Sequence, residues 1–160
     1  SLTRIAEDVK ADLDELIQEN GATIEISPLP TLPVVPLQFH QLFSNLIINA
    51  VKYRKAGTKP VIKISAGIVT VAEIPEEGLL KDDRYWKIEV RDNGIGFDQI
   101  YAGRIFELFQ RLHGKSEYEG TGIGLAVCKK IVQNHNGFIN ATGKMDTGAV
   151  FNIYLPLNSK

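Results

Sequence analysis

Three groups of residues in this chain have types and spacings that could do chemistry. Asn45, Asn49 and Lys52 recur at four- and three-residue steps inside an otherwise apolar run, which on a helix brings them within about 60° of one another. Two amides and an ammonium then line one stripe. Asparagine is a poor helix former because its side chain competes for backbone groups, so two of them a turn apart point to a purpose; a solvated helix edge is the plain alternative. Asp92-Asn-Gly-Ile-Gly96 sets a carboxylate beside two glycines, an acceptor suited to the exocyclic amine of a flat base such as adenine, with an ordinary Asp-Asn-Gly turn as its alternative. Gly120-Thr-Gly-Ile-Gly-Leu125 opens a helical run, where N–H groups bared by glycine and the positive end of the helix dipole favour phosphate. A dinucleotide fingerprint is excluded there. That motif follows a strand directly, near the start of a βαβ unit, whereas here a long stretch without strand periodicity precedes the glycines near the chain's end.

The elements that must position these groups follow from periodicity. Leu2, Ile5, Val9, Leu13, Leu16 and Ile17 predict an amphipathic helix closed by Asn20-Gly21, followed by a short strand over 22–26. Ser27 to Pro36 carries four prolines and cannot be regular, but Pro36 suits the first turn of a second helix running from about Leu37 to Tyr53. Val61–Val71 and Tyr85–Arg91 read as antiparallel strands joined by a polar, exposed connection. Trp86, Ile88 and Val90 share one parity and Asp92 continues it, so its carboxylate projects toward the buried face, where an unpaired charge is expensive. Something must meet it. After a weakly periodic stretch from Phe97 to Glu119, the stripe Leu125, Cys128, Ile131 and Val132 predicts a third helix ended by Asn136-Gly137. Phe138–Thr142 and Ala149–Leu155 predict a closing hairpin.

Composition bounds the partners. The chain has 160 residues, 18 Lys plus Arg against 19 Asp plus Glu, 44% apolar and 23% charged. These are the proportions of one globular domain and exclude collagen-like, mucin-like and disordered classes. A net charge of -1 gives no overall attraction to nucleic acid or anionic membrane. The single cysteine, Cys128, and the lack of zinc-spaced ligands predict a reducing, cytoplasmic setting without structural metal. No run is apolar and long enough to cross a membrane, and a start at Ser1 without Met is expected of a piece of something longer.

In order and spacing these motifs resemble those of the catalytic, ATP-binding domain of sensor histidine kinases. Asn45-Leu-Ile-Ile-Asn-Ala-Val-Lys-Tyr53 is similar to the family's N box, Asp92-Asn-Gly-Ile-Gly96 to its first glycine box, Ile105-Phe-Glu-Leu-Phe109 to its F box, and Gly120-Thr-Gly-Ile-Gly-Leu125 to its second glycine box. The resemblance spans the chain to Phe151-Asn-Ile-Tyr-Leu-Pro156, and Gln110-Arg-Leu-His-Gly-Lys115 is similar to phytochrome-like and PAS-linked soluble kinases. It implies an α/β (α+β) two-layer sandwich, the Bergerat fold, with a mixed, mostly antiparallel sheet and helices on one face. Residues 1–160 would form one ATP-binding domain with a lid at about 97–121.

The resemblance also implies roles. Asn49 would present an amide oxygen to Mg2+, with Asn45 supporting the same shell, and Lys52 and Tyr53 would contact phosphate and adenine. Asp92 would accept from the adenine amine while Gly94 and Gly96 give the ring room. Gly120, Gly122 and Gly124 would close over the phosphates of ATP, with Thr121 as helix cap and Leu125 completing the box. Phe106 and Phe109 would anchor the lid by packing; Arg111, His113 and Lys115 would neutralise terminal phosphate charge, or form a solvated loop.

The family transfers phosphate to a histidine followed by an acid on a separate helical hairpin, and His40, His113 and His135 lack that setting. His40 lies roughly 140° from Asn45 around its helix, away from the stripe, in a surface or packing role. His135, at a helix end, suits a C-terminal charge interaction. The acceptor hairpin, which would also dimerise the full-length kinase, is therefore expected upstream of residue 1, with a response regulator downstream and neither nucleic acid nor direct membrane contact. Two other classes share this pattern. One is an ATPase conformational switch like the related heat-shock chaperones and topoisomerase subunits, which carry a glutamate base where this chain has Asn45. The other is a catalytically silent, nucleotide-binding regulatory module, expected to lack a nucleotide-box residue.

Overall fold

The computed structural model describes residues 1–70, 84–102, 105–106 and 124–157. Helix α1 spans Leu2–Asp12 and α2 spans Asp14–Asn20, where one helix was expected. The break at Leu13 is slight, because Leu13 N–H still donates to Val9 O and Ile17 N–H to Leu13 O. Gly21 ends the run at φ 61°, a left-handed conformation that glycine takes without steric cost. Strand β1 is Thr23–Ile26, α3 is Pro36–Lys52, β2 is Val61–Thr70, β3 is Arg84–Asp92, α4 is Gly124–Asn134, β4 is Phe138–Lys144 and β5 is Gly148–Pro156. The strands form one sheet in the order β1-β2-β3-β5-β4, parallel between β1 and β2 and antiparallel elsewhere.

Alternation puts Ile62 and Ile64, Ile88 and Val90, Ile139 and Ala141, and Phe151 and Ile153 on one face of the sheet, all buried. Against that face lie Leu2, Ala6 and Val9 of α1, Phe39, Leu42, Phe43, Leu46 and Ile47 of α3, and Cys128, Ile131 and Val132 of α4. The opposite face is mostly polar, with Glu89 between Arg91 and Lys87 and Asn152 Nδ2 donating to Asn140 Oδ1. Only at one end does it carry a small apolar cluster, Tyr85 with Tyr154 and Phe138. This is the two-layer sandwich with helices on one face that the resemblance implies.

Two of the three histidines tie elements together. His40 Nε2 lies 2.8 Å from Asp12 Oδ2, joining α3 to α1. His135 departs from expectation: Nδ1 meets Ile131 O at 2.7 Å while Nε2 accepts the Val35 N–H at 3.0 Å, and its ring sits edge-on to Phe39. Through these contacts His135 pins the proline-rich stretch to α4.

Candidate nucleotide site

The site end of the sheet is one cross-strand row. Ile62, Asp92, Ala149 and Gly143 face one another across β2, β3, β5 and β4. Asp92 is thus flanked by small residues toward β4, and the Phe97 ring lies on Gly143, where an added Cβ would come within 2.6 Å of it. What meets the Asp92 carboxylate is backbone. Oδ1 accepts from Gly94 N–H at 2.9 Å and from Ala149 N–H at 3.3 Å, and Oδ2 accepts nothing from the described residues. Burial raises the Asp92 pKa above its ordinary value, and the two amides pull it back in part. A half-buried carboxylate with one oxygen committed and one open is an acceptor prepared for a donor that arrives with a ligand.

Gly94 and Gly96 are needed for close backbone packing. A Cβ on Gly94 would lie 2.6 Å from Tyr53 O, and one on Gly96, at φ +67°, would lie 2.1 Å from Lys144 O. Their bare α-carbons are covered by protein backbone, so these glycines let the turn nest between the end of α3 and the β4–β5 connection. Gly124 is the contrary case, with nothing within 4 Å of an added Cβ.

On α3, Asn45, Asn49 and Lys52 are all half-buried along one edge. The Asn49 side chain makes no hydrogen bond within the described residues, and Lys52 Nζ lies 5.5 Å from the centroid of the Tyr53 ring. Asn45 is engaged. Its Nδ2 donates to Gly124 O at 3.3 Å, and its side chain also hydrogen-bonds the Cys128 thiol, which burial pushes up to about 12. The amide therefore bridges α3 to the head of α4, a contact that sequence spacing could not show. Leu125 is half-buried in that first turn of α4.

The segment expected as a lid starts with a short turn hydrogen-bonded to β4. Asp98 Oδ1 caps a 3-10 turn over Gln99–Tyr101 by accepting Ile100 N–H. The Gln99 side chain accepts from Gly143 N–H at 2.8 Å and donates to Ala141 O at 3.4 Å. Ile105 and Phe106 are buried, Phe106 edge-on to Phe151, as expected of a packing anchor. Phe109, Arg111, His113, Lys115, Gly120, Thr121 and Gly122 lie outside the described residues, as does the connection after β2 that the sequence predicts to be exposed. Sequence reasoning missed Lys55, whose Nζ donates to Asp146 O at 2.6 Å, beside the Asp92 turn.

The architecture is an α/β sandwich in which a helix edge, a carboxylate turn and a helix head stand at one end of the sheet. Residues 34–159 match the family model described as histidine kinase-, DNA gyrase B-, and HSP90-like ATPase, and the chain belongs to that family. Among curated relatives it is 42% identical over 149 residues to cyanobacterial phytochrome A of Nostoc sp. strain PCC 7120 and 39% identical over 150 residues to the phytochrome-like protein Cph1 of Synechocystis sp. strain PCC 6803. Each match covers 93% of this chain and 18% of the relative, so the chain spans under a fifth of the length of these proteins. Among solved structures, the catalytic domain of histidine kinase ThkA superposes with TM-score 0.70 at 21% identity, covering 97% of this chain and 93% of that one. Full-length ShkA, solved in complex with AMPPNP, superposes with TM-score 0.74 at 24% identity, covering 100% of this chain and 31% of that one. Both likenesses concern the fold.

Proposed function

We propose that this chain is the ATP-binding part of a sensor kinase, holding Mg-ATP between α3, the Asp92 turn and the head of α4 and passing the γ-phosphoryl group to a histidine on a separate helical hairpin. The observation that carries the reading is the Oδ2 oxygen of Asp92, which accepts nothing from the described residues and lies in register with Ala149 and Gly143, together with the Asn49 amide, which makes no hydrogen bond within the described residues. Asp92 accepts from the adenine amine and Tyr53 lies alongside. Lys52 and the α4 head around Gly124 stand toward the phosphates. The segments holding Gly120, Thr121 and Gly122, and Arg111 and Lys115, complete the phosphate side.

The donor set fits magnesium that arrives with nucleotide. Among the described residues no group of three or more His, Cys, Asp or Glu side chains gathers to hold a metal ion, whereas Asn49 offers one neutral oxygen, enough for a cation that keeps its phosphate and water ligands. Bound there, magnesium would neutralise charge on the phosphate oxygens. Asn49 and Lys52 would orient the γ-phosphoryl, and α4 would be kept in register with them by Asn45. Asn45 is an amide and cannot take a proton from water, so the same site is a poor ATPase, which disfavours the switch reading. The nucleophile is taken to come from elsewhere, since the described histidines, His40 and His135, are engaged with Asp12 and with Val35 and Ile131.

Partners follow from this reading: an acceptor hairpin of the parent protein, which also makes the kinase a homodimer, and a response regulator, all cytoplasmic. Among the described residues no helix is long and apolar enough to cross a membrane. The test is radiolabelled ATP given to the chain alone and then with the parent's acceptor hairpin. Label is expected only on the hairpin, with little free phosphate beforehand. Rapid hydrolysis by the chain alone would favour the ATPase switch, and stable self-labelling would place the acceptor within these residues.

A further inference from the structure

We propose that Lys55 is a positioning residue for base recognition: by holding the β4–β5 turn against the Asp92 turn, its ammonium aims the Asp92 carboxylate and so sets the preference for a 6-amino purine. The inference rests on the adenine role of Asp92 proposed above. Three hydrogen bonds close a ring through segments far apart in sequence. Ile95 N–H donates to Tyr53 O at 2.9 Å, Asp146 N–H donates to Ile95 O at 2.7 Å, and Lys55 Nζ donates to Asp146 O at 2.6 Å. Tyr53 and Lys55 are two residues apart, so the ring begins and ends at the C-terminal end of α3.

The turn held this way touches Asp92 directly. Ala149 N–H, just beyond it, supplies one of the two hydrogen bonds to Oδ1. Gly148 packs its bare α-carbon against the Asp92 carbonyl, where an added Cβ would come within 2.1 Å. Asp146 sits at φ 62°, an uncommon conformation for a residue with a side chain, which the hydrogen bonds at both its N–H and its carbonyl hold in place. Lys55 forms no ion pair with the described residues, and pinning a long side chain onto a backbone carbonyl costs rotamer freedom. Among the described residues, the contact of its side chain is with this turn.

Displacing the turn would rotate the Asp92 acceptor. A purine with an amine at position 6 would lose its partner, while one with a carbonyl there has no such hydrogen bond to lose. Binding of ATP and of inosine triphosphate, which differ at that position, separates this role from a general one. Calorimetric titration of the chain with both nucleotides is expected to show Lys55→Met weakening ATP by about fivefold and inosine triphosphate by less than about twofold, with Lys55→Arg restoring most of the ATP affinity. Equal weakening of both nucleotides would make Lys55 a phosphate contact or a general prop and would overturn the inference. So would undiminished discrimination in Lys55→Met. If the unmodified chain binds both nucleotides equally well, the adenine role of Asp92 fails and the inference falls with it.

Discussion

Replacing Asp92 with asparagine separates what the carboxylate does for the ligand from what it does for the fold. The introduced amide is isosteric, and its oxygen can still accept from Gly94 and Ala149 N–H, because turning the NH2 group toward those two donors would set donor against donor. The NH2 group is then left on the ligand side, facing the adenine amine. A hydrogen bond to a charged acceptor, of order 1.5–3 kcal/mol, is lost, so the dissociation constant for ADP should rise roughly ten- to hundredfold. The effect on stability has the opposite sign. The folded-state pKa lies above the ordinary value of 3.8, so between those two values the folded state binds more protons than the unfolded one, and stability falls as pH rises through the window. Above the raised value the ionised carboxylate carries its full burial cost, which Asp92→Asn removes. The nucleotide-free variant should therefore melt above the parent at pH 7, with the gap closing as pH falls from the raised value toward 3.8. Nucleotide binding to the parent should weaken as pH falls into the same window. Titration calorimetry and thermal melts across pH read both effects. A folded variant that binds ADP as tightly as the parent would refute the assignment of Asp92 to the base.

Other outcomes follow from neighbouring residues. Asn49→Ala should remove the magnesium dependence of ATP binding and of phosphotransfer while changing stability by less than about 1 kcal/mol, since the side chain makes no hydrogen bond within the described residues; affinities with magnesium and with chelator, together with urea melts, check it. Cys128, buried and with its thiol pushed up to about 12, should resist iodoacetamide at pH 8 in the folded chain and react fully in denaturant, as mass spectrometry would show.

Wherever one helix or strand set the pattern, the sequence was legible. The apolar face of α3 and the parity of β3 depend on spacing alone, and the paired amides and the carboxylate turn fell where periodicity put them. Trp86 shows the limit of parity: it shares a face with Ile88 but is half-buried, because its row ends at Ile68, itself half exposed. What stayed hidden were contacts between distant segments. The Asn45 amide meets Gly124 across 79 positions and Lys55 meets Asp146 across 91. The glycines beside Asp92 were legible as necessary but not in their reason, since the backbone they admit comes from Tyr53, Lys144 and Gly148.

The Gln99 side chain has a consequence beyond the site. Strand β4 is the last in the sheet, and an edge strand offers its free N–H and carbonyl groups to any passing chain. By filling the Gly143 N–H and Ala141 O positions with one amide, Gln99 imitates a neighbouring strand two residues long and leaves no template there for a real one. At the far side β1 is only four residues, bears the charged pair of Glu25 with Lys63 on its flank, and is followed at once by Pro28. Such features work against polymerisation by strand addition. Other proteins can then meet this domain through its side chains, in contacts that can form and part, and not through a shared ladder of backbone hydrogen bonds.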